Sequence, residues 1–179
     1  MKGYIREYPM FSLCGLNCGL CPIHNMKNGC PGCGGGDGHQ SCKIVKCAIE
    51  HCRPEYCFMC VNFPCEKYKG IADFDSFVPR RNIFADIQKA KDKGVENYIN
   101  ELSEKIEALN ELLENYNDGR KKSFYCTAIN LLKLEDIKNT MKRLKENNYD
   151  TIKDRAAAAV KLFQIIADER NISLKLKKK

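Results

Sequence analysis

The chain has 179 residues, of which 44% are hydrophobic and 30% charged, a balance typical of a globular protein and not of a disordered one. Its formal net charge is +7. No run of 18 apolar residues occurs, which excludes a membrane-spanning helix, and residues 1–20 lack the pattern of a secretory signal. The length predicts one medium domain or two small ones.

Cysteine is the outlier of this composition. Eleven of the twelve cysteines lie between Cys14 and Cys65, and the twelfth, Cys126, stands alone. Either disulfides or metal thiolates account for such a density. Disulfides need an oxidising compartment, but the chain shows no export signal, and an odd number of cysteines would leave one unpaired. The pattern therefore favours metal-bound thiolates and a reducing, cytoplasmic location.

Three cysteine pairs have the C-x2-C spacing, in which two intervening residues let the chain turn back so that both sulfurs reach one ion. The pairs are Cys18/Cys21, Cys30/Cys33 and Cys57/Cys60. The Pro31-Gly32 turn suits such a metal knuckle best. The predicted metal ligands are all the cysteines of the window: Cys14, Cys18, Cys21, Cys30, Cys33, Cys42, Cys47, Cys52, Cys57, Cys60 and Cys65.

Structural zinc is the expected cofactor, because this window has too few large aliphatic side chains to form a core of its own. Zinc takes about four ligands. Eleven sulfurs would fill two sites with three left over, or three sites if one histidine joins. His24, His39 and His51 all lie in the window, and His51, which follows Cys47 by four residues, is the preferred candidate.

An iron–sulfur cluster is the alternative cofactor, because thiolates hold both kinds of centre. Cys14-x3-Cys18-x2-Cys21 also has the spacing of the radical-SAM cluster loop. That class of enzyme needs a barrel of alternating strands and helices, whereas the chain after Tyr68 has the pattern of successive helices. Zinc is therefore the preferred prediction.

Helical spacing of apolar residues dominates the chain after Tyr68. The predicted helices run from Pro79–Asn82 to residue 93, then over 95–116, 123–134, 135–146 and 151–170. The alternating segment 172–176 predicts a short terminal strand. The expected fold is mainly α, with a loop-rich, metal-stapled cysteine region (residues 1–68) packed on a C-terminal helical bundle (residues 69–179).

The segment 95–116 carries apolar residues in a four-three alternation over three heptads. A long amphipathic helix that packs within its own chain is the preferred interpretation. A homodimer seam along this helix is the alternative.

Basic residues raise the question of an anionic partner. Arg120, Lys121 and Lys122 precede a predicted helix that Ser123 would cap, and helix N-termini bind anions. The last ten residues carry five positive charges and no negative ones. Each zinc ion with four thiolates adds a charge of about −2, and no spacing of a base-reading zinc finger occurs, so nucleic acid is not the favoured partner.

Cys126 lies three residues after Ser123, in the first turn of the same predicted helix. A helix N-terminus lowers the pKa of a thiol, so a reactive cysteine is one interpretation. The neighbours Phe124, Tyr125 and Ala128 favour a buried core residue instead.

Several motifs together resemble one protein family. They are Cys14-Gly15-Leu16-x-Cys18-x2-Cys21-Pro22, Cys30-Pro31-Gly32-Cys33, Cys42-x-Ile44-x2-Cys47, Cys57-x2-Cys60-x2-Phe63-Pro64-Cys65, the stretch Gly119 to Cys126, and the tail Ile172 to Leu176. Over most of its length the chain is thus similar to the Domain of Unknown Function 3795 family of bacteria and archaea. The resemblance implies a cysteine-rich, metal-binding module with no assigned activity or catalytic residue. It also makes Cys52 the least secure ligand, because many members lack a cysteine there.

The predicted function is that of a metal-binding scaffold or interaction module. No H-E-x-x-H motif occurs, and the sequence indicates no reaction. A redox or cluster-bearing protein and a nucleic-acid- or anion-binding accessory protein are the alternatives. No membrane partner is expected.

Overall fold

The protein is mainly helical, as the sequence predicts. The computed structural model describes residues 3–39 and 42–179, and the predicted ligands all fall within these ranges. The described residues form three 3-10 turns, no strand, and six α-helices: α1 (Lys43–Glu50), α2 (Ile83–Lys93), α3 (Val95–Asn115), α4 (Lys122–Leu131), α5 (Leu134–Lys145) and α6 (Ile152–Glu169). No helix in these ranges is long and apolar enough to cross a membrane.

Cap residues explain where the later helices begin and end. Gly94, with φ of 86°, ends α2 and allows α3 to begin at the next residue in a new direction. Thr151 caps α6, because its hydroxyl accepts a hydrogen bond from the Asp154 amide while the Asp154 carboxylate accepts one from the Thr151 amide. These boundaries agree with the predicted ones to within a few residues.

The structure corrects two local predictions and adds one helix. Helix α1 lies in the cysteine region, for which the sequence predicted a loop-rich structure without assigning a helix. Helix α4 begins at Lys122, so Ser123 lies inside its first turn and does not cap it. The tail 172–176 forms no strand; its Ser173 and Lys175 carbonyls accept hydrogen bonds from the Arg81 guanidinium instead.

Helix α3 is the centre of the helical bundle and contacts α2, α4 and α5, while α6 packs on α4 and α5. Leu102, Leu109 and Leu112 on α3 are buried in this core together with Tyr125 and Phe163. The apolar face of α3 is thus covered largely by its own chain, which was the preferred interpretation of its heptads.

The cysteine region packs directly on the helices through its aromatic residues. Phe11 and Tyr56 belong to the main hydrophobic core, and the Phe11 ring lies 4.6 Å from that of Tyr98 on α3. The buried guanidinium of Arg6 fixes this loop, because its Nη1 donates to the Phe11 carbonyl at 2.8 Å and its Nε donates to the Glu55 carbonyl at 3.1 Å. The loops that carry the cysteines are therefore anchored on a helical base.

Candidate metal centres

All twelve cysteines are free thiols. Ten of the eleven cysteines of the cysteine region fall into three settings: a small cavity, a large cavity, and a layer that lines neither cavity. The eleventh, Cys52, is exposed.

The first setting, here called the tight cavity, has a volume of about 30 Å³. A single water needs about 10–15 Å³, so this space suits one or two small species. Four thiols and one imidazole line it together with apolar and aromatic side chains; the polar residues are Cys47, Cys57, Cys60, Cys65, His51, Lys67 and Tyr68. Soft sulfur donors around so small a space are typical of a zinc or iron–sulfur centre.

Helix α1 supplies Cys47 and His51 to the tight cavity. Its buried residues Ile44, Val45 and Ala48 fix the helix, and Cys47 lies beside them, half-buried. His51 follows one turn later, with Nδ1 2.8 Å from the Cys47 carbonyl oxygen and 3.7 Å from the Cys47 sulfur. The histidine preferred from the sequence is therefore the one placed at this cavity.

Two tight turns supply the other sulfurs of the tight cavity. The Cys60 amide donates to the Cys57 carbonyl at 3.0 Å, which closes a 3-10 turn and brings both members of this C-x2-C pair to one cavity. The Tyr68 amide donates to the Cys65 carbonyl at 2.8 Å and so closes the next turn. The Cys57 amide also donates to the Leu13 carbonyl, which ties this segment to the start of the cysteine region.

Tyr68 presents an unpartnered hydroxyl to the tight cavity. Its side chain is 4% exposed, and its oxygen forms no hydrogen bond of normal geometry with any described residue. Burial, followed by the neighbouring Cys57 sulfur, raises the pKa of Tyr68. A buried hydroxyl without a partner costs about 1–3 kcal/mol, so its position beside a sulfur suits a donor to a metal-bound thiolate.

The second setting, here called the wide cavity, has a volume of about 470 Å³. Its thiols are Cys18, Cys21 and Cys30, and His39 and Asp37 also line it. Its size could not be predicted from the sequence, because residues 76–78, which are distant in the chain, form part of its wall.

Local hydrogen bonds orient the thiols of the wide cavity. Cys18 begins a 3-10 turn that the Cys21 amide closes at 3.0 Å. The Asn25 side-chain amide donates to the Cys21 carbonyl at 2.9 Å. The Cys30 carbonyl lies 2.7 Å from Nδ1 of His24, so this nitrogen of His24 is engaged with backbone and not with a thiol.

The third setting, here called the buried layer, is a small cluster in which Cys33 is buried and the half-buried Cys14 and Cys42 pack against it; none of the three lines either cavity. The Cys14 sulfur is 3.1 Å from the Ser12 hydroxyl, and burial raises its pKa while Ser12 and the Leu16 amide lower it. Burial likewise raises the pKa of Cys33 to about 11. Hydrogen-bond donors aimed at these sulfurs suit thiolates, which is the form that a metal ion would hold.

The Cys30/Cys33 pair forms the predicted turn without sharing one cavity. Gly32 has φ of 88°, and an added Cβ would lie 2.7 Å from the Pro9 carbonyl oxygen, so only glycine fits there. Cys30 lines the wide cavity, whereas Cys33 is 4% exposed and packs with Leu13 in a small cluster that Cys18 also contacts. That both sulfurs bind the same ion, as the C-x2-C spacing predicts, stays a prediction.

Neither Cys52 nor Cys126 lines either cavity. Cys52 is exposed, just beyond α1, at a φ of 60°. Cys126 is 1% exposed inside the helical core, and burial raises its pKa to about 12, which argues against a reactive thiol and agrees with a core residue.

The basic turn before α4 is largely engaged within the protein. Lys121 forms an ion pair with Asp118 at 3.9 Å, and the Lys122 ammonium donates to the Asn25 carbonyl at 3.1 Å. These contacts leave less positive charge available for an external anion than the sequence suggested.

Within residues 3–39 and 42–179, no three or more His, Cys, Asp or Glu side chains converge closely enough, as they are placed, to hold a metal ion. The case for metal ions at the two cavities therefore rests on the chemistry of the donor side chains around them and on the Tyr68 hydroxyl. Comparison with known protein families, curated proteins and solved structures found no match.

Proposed function

We propose that this chain is a metal-binding protein whose cysteine region is stabilised by structural metal ions, most simply zinc, and serves as a scaffold or interaction module. The tight cavity carries this proposal, because four cysteines, a histidine and the buried Tyr68 hydroxyl beside Cys57 line one small space. Two ions use one cavity each, and a third is accommodated if the buried layer of Cys14, Cys33 and Cys42 takes part.

A bound cation also stabilises the thiolate form of the cysteines at the tight cavity. Burial raises the pKa of Cys57 to about 12, so without a cation this sulfur is a neutral thiol at pH 7 with weak hydrogen-bonding ability. A metal ion holds the thiolate form, and the Tyr68 hydroxyl then gains a strong acceptor. In small regions that metal ions stabilise, the free energy of metal binding contributes directly to the free energy of folding.

An iron–sulfur cluster stays the alternative, because the donor atoms are the same. An anion- or nucleic-acid-binding role has less support, since Lys121 forms an ion pair with Asp118 in its own chain. This proposal includes a cytoplasmic location, because cysteines stay reduced there. It also includes membership of the Domain of Unknown Function 3795 family, whose cysteine motifs the chain resembles. We expect a monomer, since much of the apolar face of α3 is buried against other parts of the same chain.

Metal analysis of two matched variants tests this function. Cys60→Ser removes a sulfur from the tight cavity, and Cys52→Ser removes an exposed one that lines neither cavity. We expect Cys60→Ser to lose about one ion per chain, because three thiolates and a hydroxyl hold zinc far less tightly than four thiolates, and Cys52→Ser to keep the full content. Colour and visible absorbance of the same samples distinguish iron–sulfur from colourless zinc.

Equal metal content in the wild type and in Cys60→Ser, each prepared under reducing conditions, would contradict the tight cavity as a metal centre. Equal losses in both variants would make Cys52 a ligand and move the expected number of ions towards three.

A further inference from the structure

The basic tail (residues 172–179) is bound along the surface of the protein. The Arg81 guanidinium donates to two carbonyls of the tail, at 2.6 and 3.1 Å. The Asp75 amide donates to the Lys177 carbonyl at 2.8 Å, and the Lys177 amide donates to the Asp75 carboxylate at 2.8 Å. The Asp75 side chain is only 1% exposed, so these contacts are shielded from water. The backbone that carries the tail lysines is therefore held in a defined place.

The apolar side chains of the basic tail face the protein, and its lysines face solvent. Leu174 is 8% exposed and belongs to the main core, and Leu176 is half-buried. Four exposed lysines form no ion pair with any described residue: Lys175, Lys177, Lys178 and Lys179. The neighbouring Asp75 carboxylate is already engaged with backbone amides and Arg81. The four positive charges are thus available to an external anion.

Two exposed aromatic rings lie in the segment to which the basic tail is bound. Phe74 and Phe77 are 39% and 60% exposed, and they lie one residue before and two residues after Asp75. Phe77 is the middle residue of a tight turn, because the Ser76 amide donates to the Val78 carbonyl at 3.1 Å. Large apolar side chains that are exposed together often mark an interaction site. The surface therefore combines fixed lysines with exposed rings.

This combination suits a single-stranded nucleic acid, whose phosphates bind lysines and whose unpaired bases stack on aromatic rings. An acidic peptide would use the lysines and leave the rings without a role. A lipid surface requires apolar side chains that face outward, whereas Leu174 of the tail is buried. A nucleic acid duplex fits less well than a single strand, because its bases are already stacked on one another.

We propose that the basic tail and Phe77 together bind single-stranded nucleic acid, with the tail lysines on the phosphates and the Phe77 ring on a base. Contacts to phosphates carry no sequence information, so the binding is expected to depend little on sequence. This surface is separate from the basic turn before α4. It adds a partner to the proposed scaffold role and does not depend on a metal ion at either cavity.

Fluorescence anisotropy with labelled oligonucleotides tests this surface. The full-length protein is titrated into oligothymidylate DNA and into oligouridylate RNA of about twelve nucleotides, a length typical of such sites. We expect saturable binding whose logarithm falls with the logarithm of the salt concentration at a slope of about −2 to −3, as for three or four lysine–phosphate contacts. Comparison of the two oligonucleotides distinguishes DNA from RNA. An equal charge of duplex or polyglutamate should compete less well than the unlabelled single strand.

A pair of double variants tests the lysines. Lys177→Gln/Lys179→Gln removes two phosphate contacts, so the salt slope should become shallower by about 1.4. Lys142→Gln/Lys153→Gln is the matched control, because it removes the same charge from exposed lysines in the last turn of α5 and the first turn of α6. The tail follows the other end of α6, about 27 Å along that helix. The slope of the control should stay at the wild-type value.

Three substitutions of one residue test stacking by Phe77. Phe77→Ala should lower the affinity about tenfold, because it removes one base–ring contact. Phe77→Leu keeps an apolar side chain but no ring and should lose a similar factor, whereas Phe77→Trp should bind at least as tightly as the wild type. Because Phe77 also lines the wide cavity, the metal content of each variant is measured and is expected to stay unchanged.

Several results would overturn the proposal. They are absence of oligonucleotide binding at low salt, equal salt slopes for the two double variants, and wild-type affinity in Phe77→Leu. Equal competition by duplex or polyglutamate would also overturn it, because bases would then play no part. Binding to phosphatidylserine vesicles in place of oligonucleotides would reassign the surface to lipid. None of these results changes the metal content, so the metal-binding function is tested separately.

Discussion

The two regions of this protein reach stability by different routes. The helical region buries large side chains such as Tyr125, Phe163 and Leu109 completely, in one continuous core. The cysteine region adds Phe11, Leu20 and Tyr56 to that core, and its other buried apolar residues form small clusters against which half-buried cysteines such as Cys14 and Cys57 pack. The comparison indicates that helices supply their own stabilising contacts, whereas the cysteine loops need cations to replace a missing core.

The largest expected effect is that of metal removal. Treatment with a strong chelator and a reductant should unfold most of residues 14–65, because their sulfur-lined clusters lose the ions that hold them. The helical circular-dichroism signal should decrease only slightly, since of the six helices only α1 lies in that region. Limited proteolysis followed by mass spectrometry locates the unfolded part.

Two outcomes would contradict this difference in stability between the cysteine region and the helical region. Unchanged protease resistance of residues 14–65 after complete metal removal would show that these loops are stable on their own. Loss of the whole helical signal would show that the contact of Phe11 with Tyr98 makes both regions one cooperative unit.

The next largest effect is expected from a substitution that creates a cavity in the helical core. Phe163 is fully buried, and its ring lies 6.5 Å from that of Tyr125. Phe163→Ala should lower the free energy of unfolding by about 3–5 kcal/mol, while the metal content of the folded protein stays the same. Urea unfolding and metal analysis check the two parts, and loss of metal from still-folded Phe163→Ala would contradict the independence of the regions.

A buried carboxyl at the junction of the regions predicts a pH dependence. The Asp86 carboxylate on α2 accepts a hydrogen bond from the Asn17 side chain at 3.0 Å, and burial raises its pKa to about 6, although nearby Lys105 lowers it. Because the folded state favours protonated Asp86, its stabilising contribution is present below about pH 4 and is lost as the pH rises through about 6.

The measurement is a comparison of urea unfolding between pH 4 and 7. Relative to Asp86→Asn, the wild type should lose stability over this range, by an amount on the order of 2 kcal/mol. Subtraction of the Asp86→Asn curve removes the effect of acid on the metal ligands. The exposed Asp73→Asn serves as control, and parallel curves for wild type and Asp86→Asn would refute the prediction.

Local signals predicted the helices well and the sulfur grouping only in part. Gly94 and Thr151 mark helix ends by short-range chemistry, so α2, α3 and α6 could be read from the sequence. Helix α1 was missed because eight residues between cysteines resemble a loop. Which sulfurs share a cavity depends on contacts between distant segments, as when Cys47 on α1 meets Cys57 and Cys65, and no spacing rule contains that information.

The smallest effect concerns Cys126, which is the one cysteine of the helical region. Its sulfur is buried in that core, so Cys126→Ala should cost about 1 kcal/mol of unfolding free energy through lost packing, at unchanged metal content. Cys21 is close enough to contribute to the raised pKa of Cys126, so the two regions approach each other here through sulfur. Loss of about one ion from Cys126→Ala would make Cys126 the fourth ligand of the wide cavity. The helical region would then take part in metal binding, and the separation between a self-supporting region and a metal-stapled one would fail at this residue.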